Sequence, residues 1–366
     1  MTGSTIVTTG HRWQMTGVDE PLARASADFA PPGPGEALVR VVGCGVCHTD
    51  LGFLYDGVPT RAALPLALGH EISGEVIAAG EGHTDLVGRA VIVPAVTPCG
   101  ECDACRAGHG PICRKQVMPG NDIQGGFASH LVVPAHGLCP VDLPGALEGA
   151  PLGESGCTLA ELSVLADAVT TPYQAMERAK VSEGDVALVI GLGGVGGFAA
   201  QIAAAKGATV IGFDVNPTRL EMLADHGLSL GLNPKDSDPR SLKKQVIGFC
   251  KERGLPLTRW KIFECSGTTP GQGLAWGLLG PGAYVSVVGF TMGKLEISLS
   301  KLMAFDAKAA GNWGCLPEYY PGALQLVLDG KVALAPFVQT FQMEEIQSVM
   351  QQVHEHRISK RPVLLP

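Results

Sequence analysis

Cys99, Cys102, Cys105 and Cys113 fall in one short stretch with the spacing Cys-x2-Cys-x2-Cys-x7-Cys. Four thiolates brought to one point match the tetrahedral preference of zinc and leave no position for water, so a site of this kind is structural. A second set of metal-type residues lies elsewhere, in Gly45-Val46-Cys47-His48-Thr49-Asp50 and Gly69-His70-Glu71. The thiolate of Cys47 and the imidazole of His70 suit zinc, and a site with fewer protein ligands keeps a position open for a reacting oxygen. Asp50 and Glu71 adjoin these ligands and could orient them. Thr49 could hydrogen-bond the reacting oxygen, and His48 could donate to a phosphate. Disulfide pairing is the rival reading of the four-cysteine stretch. Eleven cysteines, odd in number and clustered, favour metal ligation in a reducing cytoplasm.

A third pattern, Gly191-Leu-Gly193-Gly-Val-Gly196, belongs to dinucleotide chemistry. It follows the apolar run Val186–Ile190 and opens a helical stretch from Val195 to Lys206. The first glycine permits a tight turn, the second lets a pyrophosphate approach the backbone, and the third lets helix and strand pack closely. The free N–H groups of the helix start then face the phosphate. Asp214 ends the next strand, where a carboxylate accepts from both ribose hydroxyls and repels a 2′-phosphate. NAD is therefore expected rather than NADP, with Arg219 one turn further on and placed to cover the adenine.

The elements that position these groups divide by pattern. Residues 1 to about 140 hold short strand candidates at 37–42, 72–77, 89–93 and 128–133, set apart by Gly and Pro, as in a distorted barrel or sandwich. After about residue 160, apolar runs at 186–190, 209–213, 260–264 and 283–288 alternate with helical segments. That alternation implies a parallel, doubly wound sheet. Helical stretches at 318–328 and 343–354 and a closing strand at 362–365 are expected to return to the first domain. A chain of 366 residues exceeds one ordinary core. The expected division is 1–165 and 305–366 for the first, catalytic domain and 166–304 for the dinucleotide domain.

The net charge of −8 argues against nucleic acid or an anionic membrane as partner. Met1 to Gly10 lacks a basic start and an apolar core, and no apolar run reaches membrane-spanning length, so neither a secretory leader nor a membrane span is expected.

In this order, Gly45–Asp50, Gly69–Glu71, the four-cysteine lobe and the Gly191 fingerprint resemble the zinc-dependent medium-chain alcohol dehydrogenases over nearly the whole chain. The resemblance implies an α/β fold: a GroES-like β-rich catalytic domain, split in sequence around a Rossmann domain. It implies NAD and two zinc ions per chain, one catalytic on Cys47 and His70 and one structural on Cys99, Cys102, Cys105 and Cys113. It also implies a homo-oligomer, dimer or tetramer, and places Arg361 at the pyrophosphate.

Two positions depart from the family. Many relatives carry a third catalytic ligand, a cysteine, where this chain has Asp167. A carboxylate can bind zinc, and Asp167 is the expected ligand; Cys157 and Glu71 are the rivals, and a helix cap is the ordinary use of such an aspartate. Gly52 stands where some relatives place a proton-relay histidine. The implied reaction is oxidation of a secondary alcohol to a ketone, with Thr49 accepting the hydroxyl proton. The stretches 51–58 and 113–130 further resemble family members that oxidise a ring hydroxyl conjugated to a CoA thioester. Val96 and neighbouring small residues could line a pocket for the ring. Arg61, Arg106, Arg114 and Lys115 could meet CoA phosphates, although solvated surface is the plain alternative for such cations.

Overall fold

The computed structural model describes residues 8–366, which divide into two compact units. One comprises residues up to 170 together with 314–330 and 334–366. The other comprises 171–313 and 331–333. The chain begins with eight strands: β1 (Thr8–Met15), β2 (Ala23–Phe29), β3 (Glu36–Gly45), β4 (Leu66–Ala67), β5 (Glu71–Ala79), β6 (Ala90–Val93), β7 (His130–Pro134) and β8 (Cys139–Pro140). All four strand candidates read from the sequence here coincide with β3, β5, β6 and β7 to within three residues.

The second unit carries β9 (Val186–Ile190), β10 (Thr209–Phe213), β11 (Leu228–Leu232), β12 (Lys261–Glu264), β13 (Tyr284–Val287) and β14 (Lys308–Gly311). They form one parallel sheet in the order β11-β10-β9-β12-β13-β14. Every residue of β9 is buried, as a central strand covered on both faces must be. The helix Gly196–Ala205 is apolar nearly all round and packs on β9 and β10. The division between the units lies at 170/171 and 313/314, against an expected 165/166 and 304/305. β14 accounts for the later exit: it pairs with β13 (Tyr284 opposite Lys308) and completes the parallel sheet beyond residue 304.

The chain then adds β15 (Val338–Gln342) and β16 (Arg361–Leu365) to the first unit. Its main sheet runs β15-β16-β3-β5-β6-β8, with β7 paired to β3. A smaller sheet joins β2, β1 and β4. The β3–β5 pairing shifts register at Leu38/Val39 and again at Val41/Gly43, and such irregularities bend a sheet around its core. That core includes Val39, Val41, Ile72, Val76, Val91, Phe127, Leu131, Met350 and Leu364, all nearly inaccessible to solvent. Among the described residues no helix is long and apolar enough to cross a membrane.

Candidate functional site

Sheet register assembles the first candidate set of metal ligands. Gly45 at the end of β3 pairs with Glu71 at the start of β5. Cys47, two residues past the one, and His70, one residue before the other, therefore converge. Cys47 is the N-cap of the short helix His48–Leu54. Asp50 in its first turn is fully buried and ties the two segments together: Oδ2 accepts from the Cys47 N–H at 3.0 Å and Oδ1 from the Gly69 N–H at 3.0 Å. Asp167, just past the turn of 3-10 helix Glu161–Ala166, completes the set. Its Oδ2 lies 3.7 Å from Cys47 Sγ and 3.6 Å from His70 Nε2. One ligand atom from each of Cys47, His70, Glu71 and Asp167 lies within 4.8 Å of all the others.

The arrangement fits a cation. His70 is buried, with Nε2 on the Asp167 side and Nδ1 3.3 Å from Asp50 Oδ1. Nδ1 makes no hydrogen bond of good geometry there, so the ring is placed by its neighbours without being tied up by them. Burial alone would lower the His70 pKa, but the carboxylates of Asp50 and Asp167 outweigh it and hold the ring well above the usual imidazole range. A cation held there by nitrogen, sulfur and oxygen donors, the donor mixture zinc accepts, would balance this negative charge.

Cys157, the rival third ligand, is not in the set. It is buried in its own turn, with Sγ 3.0 Å from Ser155 Oγ, and burial raises its pKa. Glu71 is in the set but engaged: Arg361 donates Nε to Glu71 Oε2 at 2.9 Å and a second N–H to Oε1, which also accepts from the Ala168 N–H at 3.1 Å. Arg361, expected at the pyrophosphate, is thus a buried partner of the metal cluster. The return of β16 brings it there, since Val363 and Leu364 pair with Gly45 and Cys44. Burial would lower the guanidinium pKa, and the Glu71 carboxylate more than reverses this. The sequence offers no signal for a pair 290 residues apart beyond the expected return of the tail.

Thr49 presents Oγ1 3.7 Å from Cys47 Sγ. His48 is exposed and its ring stacks on that of His356, centroids 6.0 Å apart. A Cβ at Gly52 would meet only Val58, in ordinary contact.

The four-cysteine lobe is preformed. Sγ–Sγ distances are 3.5 Å for Cys102–Cys105 and Cys99–Cys113 and 3.7 Å for Cys102–Cys113. Every cysteine is free, and the separations exceed any S–S bond. They approach the edge of a tetrahedron with Zn–S bonds of about 2.3 Å, roughly 3.8 Å. The N–H of Glu101 brings the Cys99 thiol down to about 7, while loss of solvent and the neighbouring Cys102 sulfur push Cys105 up to about 12. Of the cations considered for CoA, Arg61 pairs with Asp122 at 3.1 Å and Lys115 with Glu101 at 3.1 Å. Arg106 and Arg114 are exposed on the lobe.

In the second unit the glycine turn fits a dinucleotide. Gly191 has φ +81°, and a Cβ there would lie 2.5 Å from the Ser266 backbone. A Cβ on Gly196 would lie 1.7 Å from the Gly191 carbonyl oxygen, so helix and strand close together only with glycine. Gly193 faces open space bounded by the Arg219 guanidinium at 3.6 Å. Asp214 is buried at the end of β10 and does more than await a ribose. Its Oδ2 accepts from the Leu192 N–H at 2.7 Å and its Oδ1 from the Asn216 N–H at 2.8 Å, which fixes the glycine turn. Arg219 lies 3.5 Å from the same carboxylate.

Comparisons with known proteins agree with this geometry. Residues 33–143 match the alcohol dehydrogenase GroES-like domain, and residues 194–329 match the zinc-binding dehydrogenase domain. An alcohol dehydrogenase of Geobacillus stearothermophilus is 30% identical over 335 residues, 90% of this chain and 92% of the relative. An S-(hydroxymethyl)glutathione dehydrogenase of Photobacterium damsela subsp. piscicida is 29% identical, covering 92% of this chain and 94% of its own. The crystal structure of the alcohol dehydrogenase from Aeropyrum pernix superimposes with a TM-score of 0.83 at 27% identity, over 97% of this chain and all of the other. The chain belongs to the zinc-dependent medium-chain alcohol dehydrogenase family.

Proposed function

We propose that this enzyme oxidises a secondary alcohol to a ketone with NAD as hydride acceptor, and that its substrate is 6-hydroxycyclohex-1-ene-1-carbonyl-CoA, converted to the 6-oxo thioester in anaerobic benzoyl-CoA breakdown. The observation that carries the reaction is the three-donor set of Cys47, His70 and Asp167, with Glu71 drawn onto Arg361. The substrate choice is supported by the likeness of residues 51–58 and 113–130 to dehydrogenases of that thioester. The exposed guanidinium groups of Arg106 and Arg114 suit the CoA phosphates.

Cys47, His70 and Asp167 would hold the catalytic zinc, and Cys99, Cys102, Cys105 and Cys113 a second one. When bound, the catalytic ion supplies Lewis acidity that lowers the pKa of an alcohol oxygen towards neutrality. Asp50 accepts from the backbone N–H groups of Cys47 and Gly69 and so sets the two segments that carry Cys47 and His70 before substrate arrives. Thr49 would accept the hydrogen bond of the substrate hydroxyl and relay a proton outward by giving up its own, and a nicotinamide bound here would supply the hydride acceptor, for net products of ketone, NADH and one proton. The glycine turn, Asp214 and Arg219 seat the adenosine half of the cofactor.

We also propose a homo-oligomer in the reducing cytoplasm. Free cysteines throughout support the compartment. Self-association is supported by β14, an edge strand of the parallel sheet, and by exposed Phe290, Met292, Leu299 and Met303 nearby in the chain. Unpaired strand edges and contiguous apolar surface are covered in stable proteins.

The test is a spectrophotometric screen for NADH formation over hydroxyacyl-CoA thioesters, free polyols and aromatic alcohols. Turnover of the cyclic thioester well above the free alcohols supports the assignment. Preference for a free polyol or aromatic alcohol overturns the substrate. Consumption of a conjugated thioester without NADH identifies the zinc instead as a Lewis acid for hydration.

A further inference from the structure

Asp167 is a longer and looser ligand than the cysteine many relatives use, because a carboxylate adds a rotatable bond and offers two oxygens. Something must restrict it. Tyr320, the bulkiest of the fully buried side chains, lies where that restriction is needed. Its hydroxyl donates to the Ala166 carbonyl and accepts from the Ala95 N–H at 3.0 Å. The Ala166 carbonyl accepts a second bond from Thr170 Oγ1 at 3.0 Å, so both its lone pairs are used. On the other side of the ligand, the Ala168 N–H donates to Glu71 Oε1 at 3.1 Å. The peptides flanking Asp167 are therefore both anchored, one by Tyr320 and Thr170 and the other by Glu71. Tyr320 also ties this turn to the segment that follows β6. A phenol so deeply buried has its pKa raised well above the usual value, first by desolvation, and it remains a donor at any working pH.

We propose that Tyr320 is a positioning residue for the catalytic metal: its hydroxyl fixes the peptide before Asp167 and thereby holds that carboxylate against Cys47 and His70. This rests on the reading of Asp167 as the third ligand. The role is indirect, since Tyr320 acts through the backbone of its neighbour. Partners of this kind typically change metal affinity about 10- to 100-fold.

The experiment follows zinc release from the purified holoenzyme to a chelator, with total zinc counted before and after. Wild type should release in two phases, a faster one from the catalytic set and a slower one from the four-cysteine lobe. In Tyr320→Phe, which keeps the ring and removes the bridge, the faster phase should accelerate about 10- to 100-fold while the slower phase is unchanged. Thr170→Val, which removes the other donor to the same carbonyl, should act in the same direction by less, and it stands in if Tyr320→Phe does not fold. Val327→Ala cuts the core on the same helix as Tyr320, Tyr320–Leu328, and should lower stability without hastening zinc release. If it hastens release as much as Tyr320→Phe does, the role is merely structural and the proposal falls. It falls equally if Tyr320→Phe and Thr170→Val release zinc at the wild-type rate while Asp167→Asn releases it faster. Should Asp167→Asn itself keep its zinc as tightly as wild type, the error lies in the ligand assignment.

Discussion

Replacing Arg361 by Met tests whether Glu71 is an ionised carboxylate that survives in the interior only through its partner. The side chains of the pair are 6% and 0% exposed. Methionine keeps most of the apolar stem and removes the charge, leaving Glu71 with the Ala168 N–H as a donor. A buried carboxylate stripped of its cation either stays charged, at about 3–5 kcal/mol, or takes up a proton. From the ordinary 4.5, uptake at pH 7 spans 2.5 pH units and costs about 3.4 kcal/mol at about 1.36 per unit. That figure caps the loss at neutral pH. At pH 5.5 the same cap is about 1.4 kcal/mol. Burial already raises the Glu71 pKa with Arg361 present; without the guanidinium it rises further, so the folded variant binds the extra proton at higher pH and the deficit relative to wild type shrinks as pH falls. Equilibrium urea unfolding of zinc-loaded protein at the two pH values reads this directly. Arg361→Met should lose at most about 3.4 kcal/mol at pH 7 and at most about 1.4 kcal/mol at pH 5.5, with the smaller deficit at the lower pH. Adding Glu71→Gln should recover most of the loss. A deficit equal at both pH values, or below about 1 kcal/mol at pH 7, refutes an ionised buried pair.

The two metal sites should separate under mutation. Cys47→Ala is expected to lose one zinc and all dehydrogenase activity with little change in melting temperature, whereas Cys102→Ala should lose the lobe's zinc and fold poorly; equal melting temperatures contradict that division. Gly196→Ala puts a methyl 1.7 Å from the Gly191 carbonyl oxygen. It should weaken NAD binding at least tenfold by calorimetry and destabilise the dinucleotide unit, while zinc content stays at the wild-type value; unchanged affinity would show that the glycine turn does not cradle the cofactor.

The sequence announced those parts of the molecule whose signal is local. The buried run 186–190, the glycine turn and the helix after it are contiguous, and each sits where expected. The four-cysteine lobe is legible for the same reason. Strands that bury little were not. β1 reads Thr-Thr-Gly-His-Arg-Trp-Gln-Met and is only half covered, and β14, Lys-Ala-Ala-Gly, lies at a sheet edge with scarcely an apolar side chain to show. Neither carries the alternation on which a strand is recognised. The Arg361–Glu71 pair was hidden because it depends on where the last strand docks, and Arg361 was assigned to the cofactor by likeness. The work of Asp214 in bracing the glycine turn was hidden for a different reason. Its carboxylate is occupied by backbone N–H groups of residues 192 and 216, which no pattern of side chains announces.

The two clusters draw their donors from very different spans of chain. Cys99 to Cys113 covers 14 positions, whereas Cys47 to Asp167 covers 120. Closing the longer span carries an extra entropic cost of about 2 kcal/mol, before counting the sheet that must form to bring its ends together. The lobe thus needs only one short segment to form its cluster, while the second set draws its donors from β3, β5 and the turn before Asp167. A chain built this way can close its four-cysteine cluster from local contacts before its second, long-range ligand set is assembled.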